Sequence, residues 1–459
     1  MLIATWIITF VLIVGIGVYA GTKITNSGQW SGSDRSMGIF AVGAVLGAWQ
    51  IGGMSIVGAA QNGYVMGIAG SWYSIANGLY ILALGILAKT MRRNFPSDAL
   101  PDYLEKRYSV RVARLQSYVW IIFGLVYIPI QLKTVASILQ IVLPNLNTQL
   151  CMFIGVTIAV AYTAFAGMKG ASIVGRVVCI ATYILLGWFI FTNIGDFGGY
   201  SGLISQLPEG YDQLSAMSAQ QIVAWMIGGV LTSIVLQSAL QPVLAAKSDK
   251  AATWGCILGY VIAGPICILT AIIGMMAKAK TDDLGDGATA FAWAIKDMSS
   301  PVMAGIIFAV MTMIIAATLA TMMMATGTIV TNVYKKQINP NADEKKLLTM
   351  SRLGTVAVAY VSLLLGFFIP SAQMTNMFLT VNYVVTAPFS FSVLAGMFWS
   401  KANAKGSFWS IIAGIVVALV WVVAGLNDQI NVVYPTIIAC YVVGIAVSLS
   451  TSSKSAIAQ

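Results

Sequence analysis

The stretch Gly43–Tyr64 reads GAVLGAWQIGGMSIVGAAQNGY. Gly43, Gly47, Gly52, Gly53 and Gly58 crowd around Gln50 and Ser55 inside a run that is otherwise apolar. Small residues let helices pack closely in a bilayer. A Gly-Gly pair flanked by polar side chains goes further: it predicts a helix broken at mid-membrane, with unwound backbone facing a cavity instead of lipid. The stretch Ile306–Lys336, IIFAVMTMIIAATLATMMMATGTIVTNVYKK, is comparably dense in small and hydroxyl residues and is the expected intact partner of such a break.

The remaining sequence supplies the membrane. Of 459 residues, 58% are hydrophobic and 9% charged, and mean hydropathy is +0.86, values that exclude a water-soluble surface. Thirteen apolar segments near 2-22, 38-60, 66-90, 113-143, 148-168, 171-194, 220-246, 252-278, 300-334, 350-370, 373-399, 407-425 and 431-450 are long enough to cross a core about 30 Å thick. The chain thus reads as an all-α polytopic membrane protein of about 13 transmembrane helices. Its first segment lacks a small-residue cleavage site and is expected to be a retained helix. An odd number of spans puts the termini on opposite sides. Lys23, Arg35, Lys89 to Arg114, Lys169, Lys247, Lys250, Lys335, Lys336, Lys345, Lys346, Arg352, Lys401, Lys405 and Lys454 then fall on one side, leaving Lys278, Lys280 and Lys296 on the other. The positive-inside rule predicts an external N-terminus and a cytoplasmic C-terminus in a cell membrane. The net charge of +10 is therefore an orientation signal and implies no nucleic-acid partner.

Absences narrow the chemistry. There is no histidine, and Cys151, Cys179, Cys256, Cys267 and Cys440 lie in or beside apolar spans without CxxC spacing. A zinc site, a Ser/His/Asp device and an organic cofactor are not expected, and neither is an enzyme. A channel would show a continuous polar stripe, which is missing. A sensor would add a cytoplasmic domain, but the sequence ends within ten residues of the last span. The fifteen acidic residues all fall in loops or at helix ends, so Lys133 and Arg176 are the ionisable groups placed within spans.

Three segments carry a family resemblance: DALPDYLEKRY at Asp98–Tyr108, QSALQPVLAAKS at Gln237–Ser248, and LAGMFWSKANAKGSFWSIIAG at Leu394–Gly414. Their sequence and order resemble the sodium:solute symporter family, which includes bacterial proline, pantothenate, sialic acid and galactose carriers. The resemblance implies a five-plus-five inverted-repeat transporter fold with broken helices. Residues 1-37 would form a peripheral helix and inner loop, 38-195 the first repeat, 196-399 the second, and 400-459 two further peripheral helices. It also implies a monomer that moves a small-molecule solute across the lipid bilayer by alternating access.

The site residues follow from the same resemblance. Substrate-contacting positions fall on or beside Ser55, Tyr73, Asn77, Gln131, Lys133, Thr232, Ser233 and Gln237. The family's sodium ion is held by two carbonyls at the first break, here Ala48 and Ile51, and by two hydroxyl residues that align with Ala316 and Ala317. A shift of one residue brings in Thr318. Aligning YTAFAG from Tyr162 puts Gly175 where relatives carry an aspartate, next to Arg176. Two expectations follow. Arg176, on one helical stripe with Lys169 and Ser172, would replace the missing ion and make transport sodium-independent, as a uniporter or exchanger; the alternative is an ordinary Na⁺-coupled symporter in which Arg176 snorkels to the interface. Lys133 would neutralise a solute carboxylate, favouring an organic acid or amino acid over a sugar.

Overall fold

The computed structural model describes residues 1–21, 30–32, 34–95, 99–368 and 374–455. Lys23 and Asp98 lie outside these residues, as do the side chains of Lys169 and Lys454. The described chain is helical, and its one β-type pairing is an isolated parallel bridge, Met37 with Ala246.

The helices are α1 (Leu2–Gly21), α2 (Ile39–Gln50), α3 (Ala59–Met66), α4 (Leu79–Asn94), α5 (Leu100–Arg107), α6 (Val110–Val142), α7 (Thr148–Asn193), α8 (Ala219–Ser233), α9 (Gln237–Leu244), α10 (Asp249–Ala263), α11 (Ile266–Lys280), α12 (Ala290–Met298), α13 (Pro301–Val333), α14 (Glu344–Gly366), α15 (Met374–Val385), α16 (Ser390–Phe398), α17 (Ala404–Val423) and α18 (Val433–Ser455). Among the described residues, ten helical stretches are long and apolar enough to span a membrane unbroken, two more are bent pairs, and Thr148–Ala161 is a shorter apolar helix. That last piece is separated from the rest of α7 by Gly167, whose φ of 51° no ordinary helix contains.

The two bent pairs organise the fold. Residues Ile39–Gln50 and Met54–Ser71 meet at 58°, and Ala219–Ser233 and Gln237–Leu244 at 59°. The first bend falls at Ile51–Gly53, where the sequence places its Gly-Gly pair; the second falls at Ile234–Leu236, which contains no glycine.

Small residues bring the broken helices against their neighbours. A Cβ on Gly63 of α3 would lie 2.3 Å from the Ala271 carbonyl oxygen of α11, and one on Gly274 would lie 2.0 Å from that of Ala60. Only glycine permits this backbone-to-backbone approach.

One end of the bundle is basic and tightly fastened. Arg92 of α4 donates to Asp249 at 3.0 Å and to the Val243 and Leu244 carbonyls at 3.2 and 3.0 Å, covering the C-terminus of α9. Lys336 pairs with Asp102 and Glu105 of α5, and Arg107 donates to the Gly396 carbonyl at 2.8 Å. Tyr103 and Tyr108 donate to the Val393 and Ser392 carbonyls, and burial holds both phenols well above their usual titration range, so they remain donors.

Candidate functional site

The first break is held from behind by a buried polar cluster. Ser55 Oγ donates to the Gln50 carbonyl at 2.6 Å and lies 2.9 Å from Ser74 Oγ, while Thr270 donates to the Ser55 carbonyl at 2.8 Å and Cys267 Sγ donates to Ser74 Oγ at 3.0 Å. These bonds satisfy unwound backbone that would otherwise be orphaned in an apolar interior.

In front of the break is a central cavity of about 20 Å³, room for one or two waters. It touches both bends, through Gly52 and Met54 at the first and Ser233 and Leu236 at the second. Trp49, Tyr73, Tyr80 and Tyr127 supply aromatic wall, and Gln50, Asn77, Gln131 and Asn382 supply amides. Trp49 and Tyr127 stack at 5.7 Å, and Tyr73 meets Trp225 edge-on at 5.9 Å. Gln131 sits one helical turn beyond Tyr127 on α6 and donates to its hydroxyl at 3.3 Å. The Gln50 amide nitrogen and the Asn77 and Gln131 amide oxygens are buried with no partner among the described residues. No Asp, Glu, Lys or Arg among the described residues lines this cavity.

Of the expected contacts, Tyr73, Asn77, Gln131 and Ser233 line this cavity. Others need correction. Ser55 belongs to the cluster behind the break, not to the cavity. Thr232 bonds back to the Gly228 carbonyl of its own helix at 2.6 Å. The Gln237 side chain points to the basic end, where its oxygen accepts from the Leu100 amide at 2.9 Å. Lys133 is buried on α6 but does not line the cavity; it lies two residues from Gln131, about 200° around the helix. Trp49, Gln50, Tyr80, Tyr127 and Asn382 were not anticipated. The Trp49-Gln50 pair just before the glycines and the Tyr127/Gln131 spacing of four were the available signals.

A second group of oxygens gathers where α13 crosses the first break. Thr318 Oγ1 lies 3.1 Å from the Ala48 carbonyl oxygen, 3.5 Å from that of Trp49 and 3.2 Å from that of Ile314. The register is thus the one that brings Thr318, not Ala316, to the break; Ala316 and Ala317 are buried neighbours without side-chain oxygens. Ile51 closes α2 and donates its amide to the Gly47 carbonyl at 2.8 Å.

Arg176 is not in this group. It is exposed, and its Nε donates to the Ser172 carbonyl of its own helix at 3.1 Å. The face of α7 that meets α2 is presented by Gly175, where an added Cβ would approach the Ala44 oxygen at 3.0 Å and the Ala48 Cβ at 3.4 Å. The next residue is turned about 100° away. In this structure Arg176 therefore does not reach the oxygens at the first break that an arginine surrogate for the ion would fill.

Comparison with known proteins agrees with the architecture. A model of the "Sodium:solute symporter family" matches residues 31–414. A sodium/glucose cotransporter of Vibrio parahaemolyticus is 24% identical, the match covering 89% of this chain and 82% of that protein. The osmoregulated proline transporter OpuE of Bacillus subtilis (strain 168) is 23% identical over 97% of this chain and 94% of its own. Among solved structures, the substrate-bound outward-open state of a Na⁺-coupled sialic acid symporter superposes with a TM-score of 0.81 at 15% identity, covering 98% of this chain and 97% of that one. A nucleobase-cation-symport-1 family transporter in a closed conformation gives 0.64 at 13% identity, with 92% and 93% covered. Two helices broken over one closed cavity, a third helix crossing the first break, and a family match along most of the chain lead to one assignment: the chain belongs to the sodium:solute symporter family and is a multi-pass membrane transporter of a small solute.

Proposed function

We propose that this transporter couples Na⁺ to the uptake of a small zwitterionic amino acid across the plasma membrane, with the N-terminus outside and the C-terminus cytoplasmic. The observation that carries the solute class is the charge-free cavity. A monoanionic acid would enter it without a counter-charge, at high cost in a low-dielectric interior. A zwitterion has no net charge, and its two ends suit the unpaired donor of Gln50, the acceptors of Asn77 and Gln131, and the ends of the half-helices. Two relatives carry proline by name, and the OpuE match runs nearly the length of both chains.

Na⁺ coupling rests on the oxygens around Thr318. Three carbonyls within 3.5 Å of one hydroxyl, with no cationic side chain in the group, fit a hard monovalent ion. The hydroxyl missing at Ala317 predicts weak binding.

A second reading comes from the stacked Trp49–Tyr127 pair and the surrounding amides, which also fit a neutral ring such as a hexose. Thermal unfolding of the pure protein separates the two. With NaCl, one of the amino acids should raise the melting temperature while hexoses do not; with choline chloride the shift should shrink. Stabilisation by a hexose alone would favour the second reading, and equal shifts in both salts would remove sodium coupling.

A further inference from the structure

The wall of the central cavity continues toward the basic end. Trp49 stacks on Tyr127 at 5.7 Å, Tyr127 meets Phe123 at 5.4 Å, and Phe123 meets Trp120 at 5.3 Å. The last three follow one another along a face of α6, so Trp120 lies about 10 Å below Tyr127 at 1.5 Å per residue. There a second cavity, about 10 Å³, is lined by Gln116, Trp120, Val235, Thr386 and Phe389 among others. Val235 lies in the second break beside Leu236, which lines the central cavity. Thr386 donates to both the carbonyl and the side-chain oxygen of Asn382, at 2.6 and 2.9 Å, and Asn382 also lines the central cavity. The two spaces have no lining residue in common and adjoin through these pairs, Val235 with Leu236 and Thr386 with Asn382.

The second cavity contains polar atoms that folding leaves unused. Gln116 Oε1 and Trp120 Nε1 are buried and have no hydrogen-bond partner among the described residues. Their residues are 2% and 3% exposed. A buried acceptor and a buried donor left open side by side burden the folded state, and each such atom in a native protein calls for a reason.

We infer that this cavity is a second solute site, occupied in transit between the central cavity and the basic end. The ammonium group of a zwitterion donates to Gln116 Oε1, its carboxylate accepts from the Trp120 indole, and Val235 and Phe389 cover its apolar part. The inference rests on the transport reading above. In the present conformation the space holds at most one water, so occupancy follows the separation of α8, α9 and α15 from α6 as the bundle rocks.

The test uses the full chain, with Gln116→Met and Trp120→Phe. Gln116→Met keeps length and volume but removes the open acceptor, so its melting temperature without solute should equal or exceed that of the parent. Purified in detergent, both variants should bind L-[³H]proline within about twofold of the parent, because the central cavity is untouched, while proteoliposome turnover falls about tenfold, a loss in kcat and not in binding. A lower melting temperature for Gln116→Met would give the acceptor a structural partner and overturn the inference. Unchanged turnover in both variants would overturn it as well, leaving a hydrated pocket off the route. If the parent neither binds nor carries proline, the amino-acid reading fails instead. The melting comparison then still stands, and the same binding and turnover measurements with D-[¹⁴C]glucose decide the inner site.

Discussion

The hydroxyl of Thr318 donates to the carbonyl oxygen of Ala48 across 3.1 Å, tying the middle of α13 to the end of α2. The contact is close enough that a Cβ on Gly52 would come within 2.9 Å of the same hydroxyl oxygen. The bond ties an intact helix to a broken one. Whatever moves one relative to the other must break it, and a cation seated among these oxygens would replace it.

Thr318 is therefore the residue whose loss should be felt first. Thr318→Val keeps the volume but removes the hydroxyl, and the concentration of Na⁺ giving half-maximal uptake should rise about tenfold, equivalent to about 1.4 kcal/mol. Thr318→Ser should stay near the parent. Ala317→Ser adds an oxygen next to the group and should shift half-saturation the other way. Uptake measured against NaCl, with choline holding ionic strength constant, distinguishes these outcomes; identical sodium curves for all four proteins would place the ion elsewhere.

Arg176 should matter little. Its guanidinium is exposed and bonded within its own helix, so Arg176→Gln should change stability by no more than about 0.5 kcal/mol. Uptake should remain within about twofold of the parent, and sodium dependence should be unaltered. A variant that unfolds readily, or that acquires a new response to Na⁺, would put the side chain back in the bundle.

The contrast between these two residues explains what was legible in the sequence. The first break could be read because Gly52 and Gly53 stand beside polar side chains in an apolar run. The second could be anticipated only through the family resemblance, since Ile234–Leu236 looks like any apolar helix. The family resemblance could put Tyr73, Asn77 and Gln131 at the site, but not decide which way a side chain faces when every face is buried. That is why Ser55 and Gln237 are at the right depth and bond away from the cavity, and why Lys133, two residues from a lining side chain, does not line it. Arg176 was misread for a related reason: a cation inside a hydrophobic run is the same string of letters whether it faces lipid or protein, and Gly175 beside it marks the packed face. Asn382 is brought to the site by α15, far along the chain, and no local pattern announced it.

Gly53 tests the tightness of the break. An added methyl would sit 2.4 Å from Thr134 Cγ2 and 2.9 Å from its Cβ, so Gly53→Ala should cost about 1–3 kcal/mol and suppress uptake. Thr134→Ser removes the methyl that collides and keeps the hydroxyl that bonds to Ile130. The double variant should recover part of both losses. A Gly53→Ala protein with normal melting and uptake would mean that the break relaxes more freely than the packing allows.

Arg92 and Asp249 form an ion pair at 3.0 Å, yet its two halves should not be equivalent. Asp249 is 43% exposed in its side chain, so Asp249→Asn gives up a screened surface contact and should cost at most about 1 kcal/mol, less in high salt. Arg92 is buried and also covers the Val243 and Leu244 carbonyls, which close the short α9 half of the second broken helix. Arg92→Gln leaves those acceptors without their charged donor, and thermal unfolding should register a loss of about 2–4 kcal/mol that added salt does not restore. Because α9 joins α8 only through the second break, the same change should loosen the basic end, and cysteines introduced along α9 should become more reactive to a water-soluble thiol reagent. Equal costs for the two variants would assign the fastening to the ion pair alone, and unchanged reactivity along α9 would separate this contact from the gating of that end.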